Sequence, residues 1–450
     1  MDDFRRVADA VAADIAAGRL RPGDRLPPQR AFARRHGIAN STAIRVYGEL
    51  ARRGLVVGEV GRGTFVRAAA PAAAPALTEP AGTRIDLELQ HPVVDGLAER
   101  MAASLGRLLR PDVLGTALRP VGPAGTPAAR AATAALLGRP GWEPAPEQVL
   151  FTGNGRQAIA GAVSALVPTG GRLAVEELTY PLAKSVAARL GITLVPVAAD
   201  AHGLVPGALA EAHRRAPFQA VYVQPTVQNP YGTTMPPERR AALAAVLEEL
   251  RVHAVEDAIW AFLDAAAPPP LAAWAPDRTI VVDSLSKRLA PGLAVGFTVA
   301  PPALLDRVGT ALRTGAWAPA GYALEAATGW IGDGTVAALA EAKRADAARR
   351  QRIAARALAD AHEPAPRVRT HPHSYFCWWE LPAPWRAETF AAAAARRGIA
   401  VTPAAAFAVV PASAPHAVRV GLGTPPPKAL AGALRTLAAL ASGGPDAAPG

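Results

Sequence analysis

Seven short runs between residues 148 and 300 constrain this chain more than any other feature. They fall at 148–152, 172–176, 193–197, 219–224, 252–256, 279–283 and 295–300, and they are continuous and rich in valine. A strand with one face in water alternates apolar and polar residues, whereas an unbroken apolar run belongs in a sheet covered on both faces. Between the runs lie alanine- and leucine-rich stretches with helical character, at 157–166, 182–190 and 237–250. The alternation predicts a mostly parallel α/β sandwich. In such a sheet, ligands bind beyond the carboxyl ends of the strands.

The residues just after each run therefore bear on function. Residues 153–157 read Gly-Asn-Gly-Arg-Gln, a turn that opens a helix and can hold a phosphate on its free amides. Tyr180-Pro181 comes after the second run, Asn229-Pro230 after the fourth, Asp257 after the fifth, and Ser284-Leu285-Ser286-Lys287 after the sixth. Each fragment alone has a plain structural alternative: a turn, a core aromatic, a helix cap, a surface lysine after a buried strand. Together and in this order they supply what pyridoxal 5′-phosphate requires. That is an amine for its aldehyde, a phosphate cradle, a stacking ring, a donor to its phenolic oxygen and an acid at its pyridine nitrogen.

Composition sharpens the claim of Lys287. Only four of the 48 basic residues are lysine (Lys184, Lys287, Lys343, Lys428) and the other 44 are arginine. Arginine stays protonated, while a desolvated lysine becomes a nucleophilic amine able to form a Schiff base.

The net charge of +11 is concentrated at the N-terminus. Residues 1–67 hold 13 arginines against seven acids, so 13 − 7 = +6, which points to a polyanion partner. Val7, Val11 and Ile15 recur at helical spacing, Pro27 and Pro28 open a second helix that ends at Gly37, and a third runs over about 40–53. Ile44, Tyr47 and Leu50 form its expected inner stripe, with Arg45, Glu49 and Arg52 outside. Two short strands at 55–58 and 64–67 come next, joined through Gly61-Arg62-Gly63. This is a winged helix-turn-helix, whose third helix suits a major groove; a docking domain is the alternative.

Residues 18–27, Ser41-Thr42 with Arg45, and 61–66 (Gly-Arg-Gly-Thr-Phe-Val) resemble the GntR family of bacterial regulators. The resemblance implies that Arg30, Asn40, Ser41, Thr42, Arg45 and the wing residues Arg62, Gly63 and Thr64 face double-stranded DNA. Ala39 stands where the family has a serine cap and Asn40 where arginine is common, so Asn40 is the expected cap. The strand ends resemble fold-type I aminotransferases, and residues 1–442 as a whole resemble MocR-type regulators. The implied architecture is the winged helix at 1–67, an alanine-proline linker at 68–83, and a pyridoxal-phosphate-dependent transferase fold type I at 84–442. That last part has a mostly parallel seven-stranded sheet at about 121–310 and a smaller α+β C-terminal domain at about 311–442 with 84–120. Residues 443–450 read as a disordered tail.

By the same resemblance Lys287 is the Schiff-base lysine, Asp257 pairs with the pyridine nitrogen, Asn229 bonds the phenolic oxygen and Tyr180 stacks on the ring. Gly155, Arg156 and Ser284 hold the phosphate, and Arg419 clamps an effector carboxylate. Two departures stand out. Ile259 and Trp260 replace a tyrosine expected after the aspartate, and Ala294 replaces a phosphate-binding arginine, with Arg156 or Arg288 as compensating cations. Both favour recognition over turnover. The implied function is a cytoplasmic, homodimeric DNA-binding regulator that senses an amino-acid-like effector; the alternative is a working aminotransferase with a DNA-binding head.

Other features narrow the classes. Cys377 is the only cysteine, which fits a reducing compartment. No long uncharged apolar run predicts a membrane span, and no His or Cys spacing predicts a metal. Residues 334–358 form a long helix whose charges (Glu341, Lys343, Arg344, Asp346, Arg349, Arg350) are expected to face solvent, and 373–381 alternates as a strand.

Overall fold

A computed structural model of the chain describes residues 3–16, 19–20, 24–52, 55–59, 63–66, 85–293, 295–359 and 367–443. The linker expected at 68–83, wing-tip Arg62, Ala294 and residues 444–450 lie outside them. The chain divides into two units, Met1–Leu77 and Thr78–Gly450.

In the first unit, helices Asp3–Ala16, Gln29–His36 and Asn40–Arg52 precede an antiparallel hairpin of Val56–Glu59 with Gly63–Val66. The second helix stops at Gly37, which adopts φ 62° as its C-cap, a conformation open to glycine at no steric cost. Phe4, Val11, Phe32, Val46, Tyr47, Leu50, Val56 and Val66 are buried together. The third helix is rotated from the expected stripe. Its inner face is Ala43, Val46, Tyr47 and Leu50, Ile44 is 50% exposed, and Glu49 is buried. Ala43 is fully buried in one cluster with Ala8 and Val11 of the first helix, and that choice of face turns Ile44, one residue on, outward. The helix begins at Asn40, and Ala39 O accepts from Ala43 N at 3.0 Å. Ala39 thus holds the cap position expected of Asn40.

In the second unit all seven predicted runs enter one sheet, in the order Val149–Thr152, Gly296–Val299, Thr279–Ser284, His253–Asp257, Ala220–Val223, Arg172–Glu176, Thr193–Val197. Only Gly296–Val299 is antiparallel to its neighbours. The strands from Val149–Thr152 to Ala220–Val223 are buried along their lengths apart from His253, as continuous apolar runs require.

A second, four-stranded antiparallel sheet holds Arg367–Thr370, Phe376–Glu380, Ala417–Gly421 and Thr402–Pro403. Helices Thr335–Leu358, Ala387–Arg396 and Pro427–Gly443 contribute to the core around it. Residues 376–379 do not alternate: all four are buried, because Trp379 packs edge-on against Phe390 while Trp378 meets Tyr231 and Phe407 on the other face. Cys377 is buried in the same core as Trp379, and burial pushes its thiol up to about 12. The charged face expected on Thr335–Leu358 is also revised, since Lys343, Asp346 and Arg350 are buried. Ile85–Asp86 pairs in parallel with Ile399–Ala400, and the chain beyond it reaches the Lys287 turn at Gln90. Among the described residues no helix is long and apolar enough to cross a membrane, and no cluster of His, Cys, Asp or Glu could hold a metal.

Candidate functional site

The strand ends converge. Ser284 ends its strand and caps the one-turn helix Leu285–Arg288, its Oγ accepting from Ser286 N at 3.3 Å and lying 2.7 Å from Ser286 Oγ. Facing it, Gly155 opens helix Gly155–Leu166, where Asn154 Oδ1 accepts from Gln157 N at 3.0 Å. A Cβ at Gly155 would stand 3.1 Å from Ser284 Oγ, so glycine permits this approach. The N-terminus of this helix and two hydroxyls meet there, a set suited to an anion.

Asp257 is buried at the end of His253–Asp257. Tyr222 Oη donates to its Oδ2 at 2.6 Å, Gln224 Nε2 to the same oxygen at 2.9 Å, and Ile259 N to Oδ1 at 3.1 Å. Burial outweighs these donors and pushes the carboxyl up to about 6. Sequence reasoning singles out neither Tyr222 nor Gln224. Their signal is the two-residue spacing that puts both on one face of the strand path.

Asn229 N donates to Gln224 Oε1 at 3.2 Å, and Asn229 Oδ1 accepts from Arg419 Nη1 at 3.2 Å. Arg419, buried on Ala417–Gly421, also donates through Nη2 to Glu88 O at 2.6 Å and Thr402 Oγ1 at 3.2 Å. Its guanidinium lies over the Phe407 ring, its Nε has no partner among the described residues, and burial pushes its pKa down to about 10.

Lys287 is partly buried. Its Nζ donates to Gln90 O at 2.6 Å and stands 5.2 Å from the Trp260 ring centroid. Burial, then the positive charges of Arg156, Arg419 and Lys343, push the amine down to about 7. A neutral, nucleophilic fraction therefore exists near physiological pH. Tyr180, the residue before helix Pro181–Arg189, is partly buried beside Arg156, and burial raises its hydroxyl. His91 is held neutral: burial, then Lys287 and Arg156, push it down to about 4. Arg288 is the other cation expected to stand in for the arginine that Ala294 replaces. It is buried against Asp283 at 2.6 Å and lies over Phe262.

The structure thus brings Gly155, Ser284, Asp257, Asn229, Lys287 and Arg419 into one site, with Arg156 and Tyr180 at its edge. The contributors that sequence reasoning misses are Tyr222, Gln224, Thr402, Phe407 and the segment 88–91.

In the first unit Arg30, Asn40, Ser41 and Arg45 are exposed and Thr42, Gly63 and Thr64 partly so. Arg45 lies 4.1 Å over the Phe4 ring. Arg25, in the 18–27 stretch, flanks Gly63, where φ is 122° and a Cβ would fall 2.6 Å from Arg25 Nε.

Known proteins resemble both units. Residues 115–437 match the family described as aminotransferase class I and II, and residues 4–66 match the bacterial regulatory proteins of the gntR family. Both matches lie in one chain, in that order. The chain is a MocR-type regulator of the GntR family. It is 28% identical over 94% of its length, and 90% of the other chain, to the uncharacterized HTH-type transcriptional regulator YdeF of Bacillus subtilis (strain 168). It is 31% identical to the HTH-type transcriptional regulator TauR of Rhodobacter capsulatus over 66% of this chain and 67% of that one. Among solved structures, the α-aminoadipate aminotransferase LysN of Thermus thermophilus superposes with TM-score 0.73 at 24% identity, covering 81% of this chain and 93% of that chain. That likeness concerns the fold. As a MocR-type regulator with an aminotransferase-like unit, the chain has pyridoxal 5′-phosphate as its cofactor, and its helix-turn-helix binds DNA.

Proposed function

We propose that this regulator binds pyridoxal phosphate at Lys287 and senses a small amino compound carrying a carboxylate. The cofactor supplies an aldehyde that condenses with primary amines and a ring that withdraws electrons. The residues present suit it. Gly155 with its neighbouring amides, Arg156, Ser284 and Ser286 offer an anion cradle. Asp257, kept in place by Tyr222 and Gln224, is an acid whose pKa falls when a cationic pyridinium pairs with it. Asn229 offers an amide to a phenolic oxygen, and Tyr180 a ring face.

The observation that carries the sensing reading is Arg419, buried with an unpartnered Nε–H in the same site as an amine of pKa about 7. A buried guanidinium with a free donor is suited to a carboxylate, and Lys287 or an incoming amine supplies the second point of recognition. On this reading DNA is contacted by Arg30, Asn40, Ser41, Thr42 and Arg45 with the wing at Arg62, Gly63 and Thr64, and two copies place two heads on paired half-sites. The depressed amine pKa of Lys287 also suits a working aminotransferase, which is the second reading.

The deciding experiment compares the full chain with Lys287→Ala. The wild type is expected to retain a visible cofactor band through gel filtration and the variant to lose it. With a panel of amino acids, one member is expected to alter operator retardation without sustained formation of keto acid. Multiple turnovers with any donor would instead establish the enzyme. A band that survives in Lys287→Ala removes the lysine from its role.

A further inference from the structure

Lys343 is a second rare lysine beside this site, and beyond its charge on Lys287 none of the roles above uses it. It stands on helix Thr335–Leu358 with 0% exposure. Its ammonium donates to two main-chain carbonyls, Lys287 O at 2.8 Å and Leu289 O. Buried cations usually meet a carboxylate. Here Asp346, one turn on, is engaged by Arg349 and Arg350, and Lys343 spends its donors on backbone.

The helix Leu285–Arg288 is a single turn, so its last carbonyls have no intrahelical partner. A lysine suits this place because one tetrahedral nitrogen can direct separate N–H bonds at two carbonyls, whereas a planar fork cannot converge on them from one point. Helix Thr335–Leu358 also reaches the segments around Arg419. Tyr375 Oη donates to Lys343 O at 2.8 Å, and Arg350 Nη1 donates to Leu422 O at 2.7 Å and Pro425 O at 2.6 Å. Gln351 Nε2 donates to Ser374 O at 2.8 Å and Phe376 O at 3.0 Å.

We propose that Lys343 is a positioning residue. By holding the carbonyl of Lys287 itself, it fixes the turn from which Lys287 Nζ meets the cofactor, and through its helix joins that turn to Tyr375 and to residues 422 and 425 beside the strand that carries Arg419. The proposal rests on Lys287 being the cofactor lysine. Lys343 also contributes charge. The groups facing Lys287 are Arg156 and His91 across the site, Arg419 on the second sheet and Lys343 on the long helix. Lys343 itself faces Asp346 on its own helix, with Tyr375 bonded to its carbonyl. Burial, opposed by Asp346, pushes Lys343 down to about 8, so most of it is cationic at pH 7. A cation nearby favours the neutral form of the Lys287 amine, and removing it raises the amine pKa.

The test follows uptake of pyridoxal phosphate by cofactor-stripped full-length protein, by visible absorbance, as a function of pH. The uptake rate tracks the neutral fraction of Lys287. In Lys343→Met the midpoint of that profile is expected to move up by roughly half a unit to one unit, with severalfold faster loss of bound cofactor in dialysis. Lys343→Gln keeps a donor without the charge, so it should share the upward midpoint while retaining cofactor better than the methionine variant. A wild-type midpoint and release rate in a folded Lys343→Met overturns the proposal. If that variant does not fold, wild-type behaviour of Lys343→Gln overturns it instead. A wild-type chain that takes up no cofactor rejects the Lys287 assignment itself, a separate outcome visible before any variant is made.

Discussion

At the residue scale the site is governed by burial acting on a few ionisable groups. Lys287 titrates near 7 in the folded chain, whereas a lysine in an unfolded chain titrates near about 10.4. Between those values the unfolded chain keeps a proton that the folded chain has released. Stability of the cofactor-free protein should therefore rise with pH through that window as far as Lys287 contributes. Thermal midpoints across that pH range, compared with those of Lys287→Met, isolate the contribution: the variant should lack part of the rise. Asp257 has the opposite sense. Its pKa of about 6 lies above the ordinary carboxylate range, so the cofactor-free site disfavours the ionised acid. Tyr222→Phe removes the 2.6 Å donor to Oδ2 and should push Asp257 higher still. Cofactor affinity, measured by equilibrium dialysis, should fall severalfold, with about 1–3 kcal/mol less folding stability, the cost of leaving a buried acceptor without one of its donors.

At the scale of elements, strands are easier to read than helix faces. A strand buried on both sides announces itself as an unbroken apolar run, and the residue that ends it points at the site. That is why Ser284, Asp257 and Lys287 are legible. A helix face depends on which side meets a neighbour. Ile44 and Leu50 look equally apolar in sequence, but only Leu50 is buried. Leu50→Ala should cost about 2–5 kcal/mol in chemical denaturation, and Ile44→Ala less than about 0.5 kcal/mol. Comparable losses would restore the stripe read from sequence. The long helix misleads for the opposite reason. Lys343, Asp346 and Arg350 recur at i, i+3 and i+7, a stripe that sequence assigns to solvent and that the structure buries, because backbone carbonyls of the Lys287 turn and of residues 422–425 meet its charges. The segment 88–91 is illegible on other grounds: it follows Ile85–Asp86, whose place is set by pairing with the distant Ile399–Ala400, and no local pattern encodes that contact.

For the whole molecule, two units with separate cores predict two folding events. Saturating pyridoxal phosphate binds the native state of the larger unit and should raise its transition by the logarithm of ligand excess, leaving that of residues 1–77 in place. Differential scanning calorimetry with and without cofactor reads this directly, and a single transition that moves as one would show the units to be energetically merged. The scarcity of lysine has a practical result. Pyridoxal phosphate condenses with any accessible amine, so a protein coated in lysine takes up cofactor indiscriminately. Here Lys184 is committed to Ala406 O and Ala408 O, Lys343 is sealed inside, and Lys428 is the one exposed lysine. Background labelling of side chains therefore reduces to a single position that Lys428→Arg can silence, which makes the chain well suited to counting bound cofactor by absorbance.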